Sequence, residues 1–122
     1  MQKIIDGYFK AWELQDADLL TRVFTSDAIY SAQPFGIEEY NGLEAIKNYW
    51  RTKPMRVQIS PKPTVISKAF GENYCFIEWE TTFRTPSGAL KTVRGMMRLE
   101  FKGGLVKELR EHYAPKETPL YY

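Results

Sequence analysis

Between positions 74 and 101 the chain alternates between apolar and polar residues. Cys75, Ile77, Trp79, Thr81 and Phe83 fall on one side of an extended chain, and Phe76, Glu78, Glu80 and Thr82 on the other. That period of two marks a strand with one buried face. Val93, Gly95, Met97, Leu99 and Phe101 repeat the division against Arg94, Met96, Arg98, Glu100 and Lys102. The connecting Thr85-Pro86-Ser87-Gly88-Ala89 suits a three-residue hairpin loop, with proline preset for the first turn position and glycine for a left-handed bulge. Pairing Thr85 with Ala89 sets Trp79 opposite Gly95, Ile77 opposite Met97 and Glu80 opposite Arg94. Apolar residues then meet on one face and opposite charges on the other. An indole lying over a cross-strand glycine covers bare backbone and marks a place where the sheet can bend.

The first part of the chain has a different period. Ile4, Ile5, Tyr8, Phe9 and Trp12 have the spacing of one buried helical face, which predicts a helix over residues 2 to about 14. Asp16 is placed to cap a second, short helix carrying Leu19, Leu20, Val23 and Phe24 inward and ending at Ser26-Asp27. Residues 28–32 read as a brief strand, Gln33-Pro34-Phe35-Gly36 as a turn and residues 37–41 as a loop. A third helix is expected over 43–52, stopped by Pro54. Residues 57–70 look extended but contain Ser60-Pro61-Lys62-Pro63, and two prolines restrict that run to an interrupted edge strand. A last strand over 105–113 precedes a polar tail, 114–122. The order implies one α+β domain spanning 1–122: helices packed on a strongly curved, mixed but mainly antiparallel sheet, a cone with a central pocket.

Composition narrows the chemistry. With 122 residues, 43% of them hydrophobic, the chain can bury the core of one domain and hardly of two. Its charge of +2 comes from interspersed signs with no basic run, which argues against nucleic acid and anionic membranes as partners. No apolar run reaches the length of a membrane span, and the first eleven residues lack the unbroken core of a signal peptide, so a cytoplasmic protein is expected. A single cysteine, Cys75, excludes an internal disulfide, and a single histidine, His112, excludes a multi-histidine metal site. Without glycine-rich phosphate loops, no cofactor is expected.

Tyr8-Phe9-Lys10-Ala11-Trp12, the run from Asp16 to Phe24, Thr25-Ser26-Asp27-Ala28, Gly42-Leu43-Glu44-Ala45-Ile46 before Tyr49-Trp50, and the closing Leu109-Arg110-Glu111-His112-Tyr113 together resemble the nuclear transport factor 2-like superfamily. Ketosteroid isomerases, scytalone dehydratase, limonene epoxide hydrolase and SnoaL-like polyketide cyclases share that cone fold. The resemblance covers nearly the whole chain. It specifies function poorly, because the fold hosts unrelated chemistries and non-enzymatic binders. The isomerase hydroxyl donor matches Tyr8, but its general-base aspartate matches Gln33 and its protonated aspartate matches Met97. Isomerase chemistry of that type is therefore not expected.

The resemblance places an acid-base aspartate of hydrolase and cyclase relatives at about Glu111. If the odd-numbered positions of the last strand point inward, Leu109, Glu111 and Tyr113 line the cavity. A tight Gly103-Gly104 turn pairing Lys102 with Leu105 would instead turn Glu108, Arg110 and His112 in. The odd set is the more apolar, which favours Glu111 inside and His112 outside. The expected lining is Tyr8, Trp12, Phe24, Tyr30, Phe35, Trp50, Trp79, Phe83, Met97, Leu99, Glu111 and Tyr113. With Tyr8, Gln33 and Glu111 as polar anchors, it suits a flat or cyclic, mostly apolar ligand. Phe76, Met96, Val106, Arg94, Arg98, Arg110 and His112 would share the outer sheet face, where a homodimer would bury them. Three readings stand: a small-molecule binding protein; a cofactor-independent isomerase, dehydratase or cyclase with Glu111 and Tyr8 as catalytic groups; and an assembly module with a filled cone.

Overall fold

A computed structural model describes residues 1–116. Six strands form one open sheet in the order β2-β1-β6-β5-β4-β3. They are β1 (Phe24–Ala32), β2 (Glu38–Asn41), β3 (Ile59–Phe70), β4 (Tyr74–Arg84), β5 (Leu90–Lys102) and β6 (Leu105–Pro115). Only the β1–β6 pair is parallel, so the sheet is mixed and mainly antiparallel. Helices α1 (Gln2–Leu14) and α2 (Leu43–Thr52) pack on the sheet, α1 against β3 and α2 against β1 and β2, and the short α3 (Pro54–Val57) packs on α2. The α+β cone is as expected.

Helix α1 buries Ile5, Tyr8, Phe9, Ala11 and Trp12 and ends where Gln15 turns left-handed at φ 53°. Asp16 then caps a short 3-10 helix, Ala17–Arg22, by accepting from the Asp18 amide. This helix stops earlier than expected. Val23 accepts from the Val106 amide and Phe24 already pairs with Val106, so residues 24–27 belong to β1. The expected loop at 37–41 is also largely strand, because Tyr30 and Tyr40 stand opposite each other in an antiparallel pair. Pro54 does end α2, yet as a first helical residue lacking only an amide that needs no partner it starts α3. β3 lies at the sheet edge, and the break imposed by its prolines is a register shift between Ile59 and Lys62.

The β4–β5 hairpin has the anticipated register, with Trp79 opposite Gly95, Ile77 opposite Met97 and Glu80 opposite Arg94. Gly95 is where the sheet cannot carry a side chain. A methyl there would lie 2.5 Å from Trp79 Cζ2 and 2.7 Å from the His112 carbonyl.

The last strand combines both anticipated arrangements. The Gly103-Gly104 turn is tight: Lys102 pairs with Leu105 and Phe101 with Val106. Glu100, however, pairs with Glu108, leaving Lys107 as an extra residue on β6. Such a bulge shifts the alternation by one. Val106, expected on the outer face, is therefore fully buried, and beyond the bulge Leu109 and Glu111 still point inward while His112 is exposed. Ala114 and Pro115 extend β6 into what was expected to be tail. Residues 117–122 of that tail lie outside the described residues. No helix among the described residues is long and apolar enough to cross a membrane.

Candidate functional site

Between the helices and the sheet lies a cavity of about 350 Å³. Its walls come from every layer: Trp12 of α1, Tyr30 of β1, Tyr49 and Trp50 of α2, Trp79, Thr81 and Phe83 of β4, and Glu111 and Tyr113 of β6. Trp12 is the hub of the helical wall. Its ring centroid is 5.5 Å from that of Trp50 and 5.0 Å from that of Trp79, both edge to face, and its Nε1 donates to Gln58 Oε1 at 2.8 Å. Tyr30 carries the arrangement toward the sheet, 5.2 Å from Tyr49 and 6.4 Å from Trp50.

Among the described residues two carboxylates line the cavity, Glu38 toward the mouth and Glu111 inside, the latter only 6% exposed. β-pairing fixes Glu111, since Ala32 on one side and Met97 on the other hold its backbone in register. The Tyr30 hydroxyl donates to its Oε1 at 3.0 Å, while Oε2 is buried without a partner. Burial pushes the Glu111 carboxyl up to about 7; the Tyr30 hydrogen bond opposes that shift and the Glu38 charge adds to it. Burial, followed by the Glu111 charge, also raises the phenols of Tyr8, Tyr30, Tyr49 and Tyr113. Near neutral pH the site can therefore hold its carboxyl either as an acid that donates or as a carboxylate that accepts.

Other polar atoms on this wall lack partners too. Trp50 Nε1, Trp79 Nε1 and Thr81 Oγ1 are buried and make no hydrogen bond with the described residues. Buried polar groups are normally satisfied, so these unpaired atoms set the residues around the cavity apart from the rest of the core. At the mouth, Lys53 Nζ donates to Glu38 Oε1 at 3.3 Å and to the Tyr40 hydroxyl at 3.0 Å, and these two bonds raise the lysine pKa.

Seven of the expected residues line this cavity: Trp12, Tyr30, Trp50, Trp79, Phe83, Glu111 and Tyr113. Phe24, Met97 and Leu99 are packed in the core behind it. Tyr8 sits there as well, wedged edge to face between Phe24 and Trp50. Its buried hydroxyl feels the Tyr30 hydroxyl nearby without completing a hydrogen bond.

Phe35 is a correction. It lies in a short turn, Pro34–Gly36, where Gln33, Phe35 and Gly36 all have φ between 63° and 68°. That left-handed path turns its ring away from the cone, and it is 99% exposed. Gln33 is half-buried beside it and borders a second hollow of about 630 Å³ that Ser31, Arg110, Glu111 and His112 also line, and its amide is near enough to act on the Tyr113 phenol.

Sequence reasoning missed Tyr49, Thr81, Glu38 and Lys53 as cavity residues. The first two carried a signal, because Tyr49 is on the apolar stripe of α2 and Thr81 on the inward face of β4. Lys53 and Glu38 meet only through the tertiary fold. Among the described residues, no group of three His, Cys, Asp or Glu side chains is arranged to hold a metal ion.

A curved mixed sheet closed by helices over an aromatic cavity defines a cone-type α+β protein. A family profile for the SnoaL-like domain matches residues 5–109, and the chain belongs to that family. Its fold is similar to a hypothetical protein of ketosteroid isomerase-like fold from Catenulispora acidiphila, solved in complex with trimethylamine. That match has a TM-score of 0.80 and 16% identity over 91% of this chain and 85% of the other. A putative SnoaL-like polyketide cyclase from Shewanella denitrificans matches with a TM-score of 0.78 and 15% identity, covering 93% and 89% of the two chains. A protein of cystatin-like fold from Methylobium petroleophilum reaches 23% identity at a TM-score of 0.75, covering 98% and 79%. No curated protein matches the chain.

Proposed function

We propose that this SnoaL-like domain binds a small, largely apolar molecule in the cavity between the helices and the sheet. The observation that carries the reading is the cavity itself: about 350 Å³ walled by aromatic rings, with the buried Glu111 side chain in its lining. A volume at the low end of small-molecule sites, a mainly apolar lining and a few placed polar groups are what such sites have in common. A structure of the same fold solved with trimethylamine adds support, because it shows that a protein of this kind can hold a small organic molecule. The assembly-module reading needed a filled cone, and the open cavity speaks against it. The test is a thermal-shift screen of small cyclic and amine compounds, followed by titration of the tryptophan fluorescence. Trp12, Trp50 and Trp79 all line the cavity, so binding is expected to change the emission. A screen without a stabilising compound and without a change in emission refutes the reading.

One observation favours a second reading, a cofactor-independent isomerase, dehydratase or cyclase. A carboxyl held at about 7 suits proton transfer at neutral pH. Glu111 is then the proton carrier, and Tyr30, which contacts it directly, takes the supporting role first assigned to Tyr8. Once a turnover is found, Glu111→Gln is expected to lower kcat at least a hundredfold; unchanged turnover removes this reading.

A further inference from the structure

Among the described residues, no cationic side chain is paired with the buried carboxylate of the cavity. Glu111 Oε1 accepts the Tyr30 hydroxyl, but Oε2 is buried and unpaired. Of the cationic side chains among the described residues, only Lys53 borders the cavity, and it is already engaged at the mouth by Glu38 and Tyr40. The groups that face Glu111 from the surrounding elements are phenols: Tyr8 of α1, Tyr30 of β1, Tyr49 of α2 and Tyr113 of β6, with Glu38 of β2 at longer range. β5 contributes Met97, which carries no charge. Burial raises those phenols, so they stay neutral through the pH range in which Glu111 changes charge.

The remaining walls are aromatic and do not stack flat on one another. Trp12 meets Trp79 at 77°, Tyr30 meets Trp50 at 78°, and Tyr113 is tilted 45° to Trp79. All of these rings belong to residues that line the cavity. Ring faces attract cations, more strongly where water is excluded. We propose that the molecule taken up by this cavity is a small protonated amine bearing apolar substituents, its N–H directed to the Glu111 carboxylate and its substituents against the tryptophan and tyrosine rings. This inference rests on the small-molecule reading above and assigns the chemical class of the ligand. A hydrocarbon would fill the same space and leave the carboxylate without a cationic partner. An anion would meet the Glu111 charge, and a neutral carbonyl compound would need Glu111 protonated. Only a cationic donor uses the carboxylate and the ring faces together.

The class is tested by isothermal titration of N,N-dimethylbenzylamine and of its neutral isostere isobutylbenzene. The amine is expected to bind at least tenfold more tightly than the hydrocarbon at pH 8. With Glu111 titrating at about 7 in the free protein, amine affinity is expected to fall about tenfold between pH 8 and pH 6, while hydrocarbon affinity stays level. Glu111→Gln should erase the preference for the amine. Tyr30→Phe removes a hydroxyl that holds the Glu111 pKa down, so it should move the midpoint of the pH dependence upward. If the hydrocarbon binds as well as the amine, if amine binding strengthens on acidification, or if Glu111→Gln keeps the preference, the amine assignment is overturned and the small-molecule reading survives. If neither compound binds, the amine assignment is overturned, and the outcome of the broader screen decides the reading beneath it.

Discussion

At the scale of single residues, Glu111 is a carboxyl held far from water. Its carboxyl sits at about 7 when folded, against about 4.3 for an unperturbed glutamate. The sign of the linkage follows from the raised value. The fold favours the protonated acid, so this contribution is fully present below about pH 4.3 and is lost as pH rises through about 7. The span corresponds to a few kcal/mol, order of magnitude only. Glu111→Gln keeps an acceptor for Tyr30 and removes the titration. The variant should match the wild type near pH 4 and exceed its stability by roughly 2–3 kcal/mol at pH 8, measured by urea denaturation at the two pH values. An equal gap at both pH values rejects the buried-acid account. Residue chemistry was partly legible beforehand, because the apolar character of Leu105, Leu109 and Tyr113 already argued for Glu111 inside. Phe35 was not legible: an aromatic next to Pro34 and Gly36 gives no sign of the left-handed backbone that sends it outward.

At the scale of elements, β6 decides the site. A two-residue turn at Gly103-Gly104 by itself would send His112 inward and Glu111 out. The bulge at Lys107 reverses that, letting one strand bury Val106 near the turn and Leu109 and Glu111 farther along. Deleting Lys107 should therefore be far worse than truncating it. Lys107→Ala loses an exposed pair with Glu100 and is expected to cost less than about 1 kcal/mol. The deletion would rotate 108–115 by one residue, bringing Arg110 and His112 against the core, and cooperative thermal unfolding should disappear. A deletion variant with a sharp, wild-type-like transition shows that the bulge does not set the register. The sequence displayed both competing turns but not the extra residue that reconciles them, since an isolated lysine in a polar strand carries no local mark of a bulge.

At the scale of the whole molecule, one sheet face encloses the cavity and the other is left open. Phe76 and Met96 are 45% and 56% exposed there, among paired charges such as Arg94 with Glu80 and Arg98 with Glu108. We propose that a second copy covers this face. Sedimentation equilibrium at micromolar concentration should give twice 14.3 kDa, and Met96→Glu should shift the protein to monomers that still fold. A monomer in the wild type rejects the proposal. The sequence by itself determined the helical and strand periods and the hairpin register from Trp79–Gly95 to Glu80–Arg94. These are local properties of spacing and residue type, which burial of one face makes obligatory. Only the tertiary structure decided which aromatic residues are wall and which are filling, that Lys53 and Glu38 close over the mouth, and that Glu111 keeps one oxygen without a partner. Those facts depend on how elements distant in sequence approach one another, and no periodicity along the chain encodes the space left between them.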